Sequence, residues 1–315
     1  MSDNPSISII VPVLNEEGSL EIFYRETSNA LKELSEWEII FIDDGGNDES
    51  NKIIRRLVDD DYRVSLIQFF KNFGKADALS EGFNHAKGDI VITIDSDLQD
   101  DPAEIPRLIE KIQEGWDVVS GWKKDRKDPA SKRVASKLFN FVTRILTGIK
   151  IHDFNCGLKA YRLKVVKAVD VYGGMHRYIP ALAAKKGFSV TEIEVNHRSR
   201  KFGETKYGSN RFFHGFFDLF TMLFTSRYFD RPMHFFGSIG LLFIFISFSC
   251  EMTALYDKLI NGIPFQMHFA LIVFGAMVFA LGLWFFSFGL LGELFIKTTG
   301  SSEKKVHSVY SKKQR

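Results

Sequence analysis

The chain is 315 residues long with 45% apolar and 14% aromatic content, and 41 Lys and Arg against 39 Asp and Glu leave a formal net charge of +2. That length can bury two or three cores, and 25% charged residues beside ample apolar ones exclude an intrinsically disordered chain. Two cysteines, Cys156 and Cys250, exclude a disulfide scaffold, and the near-neutral balance gives no support to a nucleic-acid binder.

Short β-branched or aromatic runs begin at Ile7 (ISIIVPV), Trp37 (WEIIFID), Val64 (VSLIQFF), Asp89 (DIVITID) and Val118 (VVSGW), with starts 25 to 30 residues apart. That interval is the repeat of strand, crossover helix and next strand. Helical segments fill the gaps at Leu20–Leu34, Ser50–Val58, Lys75–His85 and Pro102–Glu114, the last with Pro102 near its first turn. The pattern predicts an α/β sheet with a parallel core. In such sheets the ligand lies beyond the carboxyl ends of the strands. Asn15–Glu16, Asp43–Asp44, Asn72–Gly74 and Asp95–Asp97 all fall at those ends, so four polar clusters are expected to line one crevice.

After Trp122 a basic segment (KKDRKDPASKR) leads into an amphipathic helix predicted over about 132–147, where Val134, Leu138, Phe141 and Ile145 recur at helical spacing. A second amphipathic stretch at 209–230 carries Phe212, Phe213, Phe216, Phe217, Phe220 and Phe224 on one broad face, a pattern suited to the membrane interface. The bland reading of both stripes is packing on the core of a soluble domain over residues 1–208.

Met233 to Cys250 and Ile263 to Gly292 contain no Asp, Glu, Lys or Arg. Each run is long enough to cross a hydrocarbon core, which takes roughly 20 helical residues, so 231–299 is predicted as a two-helix transmembrane hairpin. Arg227 and Arg231 precede the first span, Lys297, Lys304, Lys305, Lys312, Lys313 and Arg315 follow the second, and the loop between carries Lys258 alone among Lys and Arg. The positive-inside rule then puts both termini and the soluble domain in the cytoplasm. The residues MSDNPS begin no signal-peptide pattern, so no cleaved signal is expected. Residues 300–315 are expected to form a basic cytosolic tail.

The most specific chemical signal is Asp95-Ser96-Asp97-Leu98-Gln99 after the strand IVITID. Two carboxylates one residue apart at a strand end, with the Gln99 amide, offer the hard oxygen ligands that Mg²⁺ or Mn²⁺ accepts. A paired acid in a solvated turn is the common alternative, but this pair has company. VPVLNE ends the first strand, FIDDGG ends the second, and Lys75 after Asn72-Phe73-Gly74 is placed to meet a phosphate at a helix N-terminus.

VPVLNEE, IDDGGNDES, NFGKADALSEGF and DSDLQDDP, in that order and spacing, resemble inverting GT-A glycosyltransferases. The continuation through DFNCGLKAYR, NHRSRKFGETKYG and two C-terminal spans is similar to the polyprenyl-phosphate glycosyltransferases, a group that includes bactoprenol glucosyltransferases and dolichol-phosphate mannose synthases. The resemblance implies a GT-A Rossmann-like mixed sheet with amphipathic interfacial helices and two C-terminal transmembrane helices. It implies that Pro12, Asn15 or Glu16, and Asp43 or Asp44 cradle the base and ribose. Asp95 and Asp97 would hold metal and diphosphate, with Gln99 completing the shell of a Mg²⁺ or Mn²⁺ cofactor. Gly46 stands where the family usually has Ser, and the Gln-x-x-Arg-Trp string of processive relatives such as cellulose and hyaluronan synthases does not occur. Transfer of one sugar is therefore expected.

For the acceptor, Lys132 and Ser136 lie four residues apart on one helical face beside Arg133, in the segment where the family binds its lipid phosphate. Arg198, Arg200 and Lys206 are candidates to clamp donor diphosphate or acceptor. Asp153 matches the position of the catalytic base in many inverting GT-A enzymes. A phosphate monoester, with a second pKa of about 6, needs little deprotonation at neutral pH, so Asp153 either takes a proton or orients the acceptor or its loop. Cys156 reads as a small buried residue.

The resemblance thus implies inverting transfer of a hexose from a nucleotide sugar, UDP-glucose first, to undecaprenyl phosphate at the cytosolic face of a cell inner membrane, by a homo-oligomer with a tetramer in view. GDP-mannose or a UDP-amino sugar are alternative donors. A noncatalytic membrane adaptor or a lipid-linked sugar translocator are the rivals from other classes.

Overall fold

The computed structural model describes residues 5–34, 36–124, 130–199, 221 and 231–299, with backbone alone for 130–135, 297 and 299. The chain forms two compact units, residues 1–222 and 223–315, and the division falls within the 209–230 stretch.

In the first unit the described strands and helices alternate: β1 (Ile7–Val13), α1 (Leu20–Ala30), β2 (Trp37–Asp43), α2 (Ser50–Asp60), β3 (Val64–Gln68), α3 (Lys75–His85), β4 (Ile90–Thr93), α4 (Ile105–Gln113), β5 (Val118–Trp122), α5 (Ala130–Thr147), β6 (Lys159–Arg162), α6 (Leu163–Val166), α7 (Ile179–Lys185) and β7 (Val190–Glu194). The near-continuous apolar runs of β1, β2 and β4 reflect burial on both faces. Ile9, Val11, Ile39, Phe41, Ile90 and Ile92 are fully buried, each contributing about 1.5–3 kcal/mol of apolar burial. Helix α4 seals the core with Ile105, Leu108, Ile109 and Ile112, an i, i+3, i+4, i+7 stripe.

The seven strands follow the order β3-β2-β1-β4-β6-β5-β7. Strands β3, β2, β1 and β4 are parallel, as expected. Strand β6 runs antiparallel to both β4 and β5, and β7 joins β5 in parallel at the far edge. The sheet is thus the mixed α/β sheet that the family resemblance implied, although β6 and β7 lack a strand signature. KAYR buries a lysine and VTEIE is mostly half-exposed, so neither shows a β-branched apolar run.

Several helix boundaries differ from expectation, among them that of α2, which runs past the predicted Val58 to Asp60. Helix α1 stops at Ala30, where the Leu31 amide turns back to Asn29 and Thr27. Pro102–Glu104 is a single 3₁₀ turn capped by Asp101, which accepts the Ala103 amide at 3.1 Å, and the α-helix starts only at Ile105. Helix α5 begins two residues ahead of the predicted 132. The 209–230 stripe lies outside the described residues apart from Thr221.

The second unit is a hairpin of two helices, α8 (Pro232–Ile260) and α9 (Phe269–Thr299). At ~1.5 Å per residue each exceeds the ~30 Å hydrocarbon core. The helices meet at glycines: a Cβ on Gly240 would lie 2.7 Å from the Gly282 carbonyl oxygen, and one on Gly282 would lie 2.9 Å from that of Gly240. Such close backbone approach is how helices pack where no hydrophobic drive separates them from lipid. Leu241, Phe245, Phe248, Trp284 and Phe288 face outward, as a membrane anchor requires.

Candidate active site

The carboxyl ends of β1, β2, β3 and β4 carry the four predicted polar clusters, and the structure gives them different duties. Near the end of β1, Pro12 lies opposite Ile42 of β2. Asn15 takes a left-handed φ of 49°, and its Oδ1 accepts the Asn47 amide at 2.8 Å. Glu16 is fixed through its own amide, which donates to Ser50 Oγ at 2.9 Å. A Cβ on Gly46 would lie 2.8 Å from Asn15 Oδ1 and 3.3 Å from Asp43 Oδ1, so Gly46 sits at a tight crossing of the two loops.

Asp43 and Asp44 are buried and engaged by backbone. Asp43 accepts the Gly46 amide at 3.0 Å and Asn51 Nδ2 at 2.8 Å, bracing the turn into α2. Asp44 accepts the amides of Phe73 at 2.7 Å and Gly74 at 3.0 Å, which ties the start of α3 to the end of β2. Burial pushes the Asp44 carboxyl up, with Asp77 and Asp43 adding to it, against the pull of those two amides. Gly45, with φ 69°, brings the second loop against the third: a Cβ there would fall 2.3 Å from the carbonyl carbon of Lys71.

This clamp sets Lys75 at the first position of α3, with Nζ 2.5 Å from Asp95 Oδ1. Asp95 follows β4 in a loop turned by Leu98, whose φ is 60°. Among the described residues Asn15 and Leu98 are the non-glycine residues with left-handed backbone, and both lie on this rim. Asp97 Oδ1 accepts the Gln99 amide at 3.1 Å, and the Gln99 carbonyl accepts from Arg198 N at 2.9 Å. Burial alone would raise the Asp95 carboxyl. The charge and hydrogen bond of Lys75, with Lys123 and Lys159 behind, outweigh burial and hold it below the usual carboxylate range.

A second tier of charge lies behind this rim. Lys123 Nζ is 2.7 Å from Asp100 Oδ1, and Lys159 donates to the Cys156 carbonyl. A Cβ on Gly157 would lie 2.7 Å from Asp95 Oδ2 and 2.9 Å from Asp100 Oδ2, so the 153–158 loop closes over both carboxylates and tolerates no side chain there. Asp100 Oδ2 has no hydrogen-bond partner among the described residues.

Asp153 is buried beneath that loop. Its Oδ1 accepts the Asn155 amide at 3.0 Å and Asn140 Nδ2 at 3.5 Å, and its Oδ2 accepts the Lys123 amide at 3.5 Å. Asn140, on α5, also accepts the Phe154 amide at 3.2 Å through Oδ1. The helix with the acceptor candidates is therefore tethered to the site by a residue that periodicity does not single out.

Of those candidates, Ser136 has a buried hydroxyl without a partner among the described residues. The side chains of Lys132 and Arg133, and all of Arg200 and Lys206, lie outside the described residues. Arg198 commits its guanidinium to protein carboxylates, 2.5 Å from Glu26 and 2.6 Å from Asp101, so it braces the Gln99 loop.

Besides Lys123 and Asn140, two further residues near the site escaped sequence reasoning. His176 and Arg177 sit in a 3₁₀ turn (Met175–Arg177), with His176 Nδ1 and Arg177 Nε buried and unpartnered among the described residues. Burial, then the charges of Lys75, Arg177 and Lys159, hold the imidazole well below its ordinary pKa. The tripeptide MHR in a loop carries no spacing signal.

Asp95, Asp97 and Gln99 supply hard oxygen donors. No group of three His, Cys, Asp or Glu among the described residues would hold an ion alone. Carboxylate and amide oxygens are the donor type that Mg²⁺ or Mn²⁺ accepts, with substrate phosphates and water completing the shell.

Known proteins match this architecture. The profile of Glycosyl transferase family 2 matches residues 8–170. The dodecaprenyl-phosphate galacturonate synthase of Rhizobium johnstonii is 33% identical over 298 residues, covering 93% of this chain and 88% of that protein. The undecaprenyl-phosphate 4-deoxy-4-formamido-L-arabinose transferase of Edwardsiella ictaluri is 35% identical over 289 residues, covering 91% and 87%. Among solved structures, glucosyl-3-phosphoglycerate synthase from Mycobacterium tuberculosis, in complex with Mn²⁺ and uridine-diphosphate-glucose, superposes with a TM-score of 0.54 at 18% identity, covering 70% of this chain and 79% of that one. The similarity to that structure is one of fold. A profile spanning more than half the chain and full-length relatives above 30% identity together establish that the chain belongs to Glycosyl transferase family 2.

Proposed function

We propose that this protein transfers a single sugar from a nucleotide sugar to the phosphate of a polyprenyl carrier such as undecaprenyl phosphate. The observation that supports the reading is the Lys75–Asp95 ion pair just beyond the carboxyl end of β4, in the region where α/β sheets bind nucleotides, with Asp97 two residues further along the chain. The names of the two full-length relatives, both polyprenyl-phosphate sugar transferases, support the acceptor. Two long apolar helices in the same chain give the enzyme a reason to meet a lipid substrate.

A phosphate oxygen of the acceptor attacks the anomeric carbon from the face opposite the diphosphate, the bond to the diphosphate breaks, and an α-linked donor yields a β-linked product. A divalent cation held by Asp95, Asp97 and Gln99 would supply Lewis-acid stabilisation of the departing diphosphate. Lys75 adds cationic charge on the same side. Pro12, Asn15 and Glu16 border the nucleoside side, while Asp43 and Asp44 shape it through the loops they brace. The acceptor dianion brings its own nucleophilic oxygen, so Asp153, held among three donors, orients the 153–158 loop. Lys132, Arg133, Ser136, Arg200 and Lys206 are the acceptor-phosphate candidates. Two spans with cytoplasmic termini in a cell inner membrane, and assembly as a homo-oligomer, complete the proposal.

UDP-glucose is the first donor to test, beside UDP-galacturonate and a UDP-linked 4-deoxy-4-formamido-arabinose. Full-length protein in detergent, incubated with undecaprenyl phosphate and each labelled donor, is expected to form a lipid-linked monosaccharide with one of them. The product should vanish on chelation and return with Mg²⁺ or Mn²⁺. No lipid product from any donor overturns the acceptor assignment, and product formation indifferent to chelator removes the metal.

A further inference from the structure

We propose that Lys75 is the resident counter-ion of Asp95 in the nucleotide-free enzyme and yields that carboxylate to the divalent cation when the donor diphosphate arrives. Metal and nucleotide binding are thereby coupled. The inference rests on the metal-dependent reading above and adds the order in which the charges move.

Three observations carry it. The Lys75 ammonium lies 2.5 Å from Asp95 Oδ1, with 26% and 33% of the two side chains exposed, so the pair is half-shielded yet reachable from the crevice. The other oxygen, Oδ2, faces the 156–158 loop at the Cα of Gly157, which leaves Oδ1 as the oxygen turned to the lysine. A divalent cation taking that same oxygen would place its charge close beside the ammonium, and the repulsion between the two disfavours shared occupancy. Lys75 and a divalent cation therefore compete for Asp95 Oδ1.

The surroundings permit the exchange. Lys75 opens α3 directly after Gly74, whose φ of 100° and open surroundings leave that point free of side-chain packing. The preceding amides stay anchored on Asp44, so the backbone holds while the lysine side chain moves. A diphosphate brings fresh negative charge to the N-terminus of the same helix, where ammonium and first-turn amides both favour it. Lys75 thus trades a carboxylate for a phosphate. Asp95 trades an ammonium for a metal, and no charge is left bare at any stage.

The test is Mn²⁺ binding to full-length protein in detergent, followed by the EPR signal of free Mn²⁺, without and with saturating UDP. Wild-type protein is expected to bind Mn²⁺ weakly alone and about tenfold or more tightly with UDP. In Lys75→Met, nucleotide-free Mn²⁺ affinity should rise about tenfold, and the gain from UDP should shrink correspondingly. Lys75→Arg, which keeps the cation, should bind nucleotide-free Mn²⁺ as weakly as wild type and serves as the control for folding. Unchanged or weakened nucleotide-free affinity in Lys75→Met overturns the exchange. Absence of Mn²⁺ binding to wild type even with UDP overturns the metal-dependent reading itself and the exchange with it.

Discussion

Lys123 and Asp100 form an ion pair behind the candidate site, Nζ to Oδ1 at 2.7 Å, with only 11% and 1% of the two side chains exposed. Burial alone would lower the Lys123 ammonium, but the charge of Asp100 outweighs it and holds the pKa well above the ordinary lysine value. Removing one partner strands the other charge in a dry environment, at a cost of about 3–5 kcal/mol. Lys123→Met is expected to lower the unfolding midpoint of the full-length protein markedly. Adding Asp100→Asn to it should recover much of the loss, because the uncompensated charge is gone. Thermal unfolding in detergent checks both, and a single variant as stable as wild type would show the pair to be dispensable.

Gly45 is where the β2–α2 turn touches the β3–α3 loop. Its φ of 69° and the 2.3 Å approach of a Cβ to the Lys71 carbonyl carbon leave no room for alanine. Left-handed backbone alone costs a non-glycine residue roughly 1–2 kcal/mol, and the backbone clash comes on top. Gly45→Ala should displace the 71–74 loop and with it Lys75, so the donor KM should rise about tenfold or more while the acceptor KM changes little. Steady-state kinetics with each substrate varied in turn separates the two.

Asp61 predicts an acid-sensitive step in stability. Hydrogen bonds from Arg63 are the largest influence, with the Tyr24 hydroxyl at 2.7 Å also donating, and they hold the carboxyl at about 2 against an ordinary 3.8. Because the folded-state pKa is depressed, this stabilisation is complete above the unfolded pKa and is lost as pH falls through about 2. The shift corresponds to at most about 2.5 kcal/mol, reduced by solvent screening because 38% of the Arg63 side chain is exposed. Denaturant midpoints measured from pH 5 downward should fall less steeply for Asp61→Asn than for wild type. Parallel curves would exclude the contribution.

Cys156 is buried beside Asp100, and burial followed by that carboxylate pushes its thiol up to about 12. In a Cys250→Ser background, native protein at neutral pH should resist iodoacetamide and react only once denaturant opens the first unit. Stoichiometric labelling of folded protein, read by mass spectrometry, would contradict the burial.

The starts of β1, β2, β3 and β5, the bounds of α3 and the two apolar helices were legible because the signals that write them are local. A β-branched run, a helical stripe or a charge-free stretch is complete within some ten to twenty residues. The Asp95–Asp97 pair stood out by residue type at its strand end, and the family motifs added the GT-A sheet. Strands β6 and β7 were not legible, since KAYR and VTEIE become strands only by filling the edge that β4 and β5 offer.

Sequence alone therefore determined that acids, glycines and a lysine gather at the ends of consecutive strands, and that two apolar helices follow. Tertiary structure decided what each of them does. Asp43 and Asp44 read like Asp95 and Asp97 in sequence, yet the first two turn onto backbone amides while Asp95 meets Lys75, twenty residues away. Lys123, Asn140, His176 and Arg177 come to the site from just past β5, from α5 and from a late 3₁₀ turn. The reason is physical: hydrophobic periodicity is a property of neighbouring residues, whereas the partner of a buried charge is set by strand order and loop closure, which bring together residues that sequence holds apart.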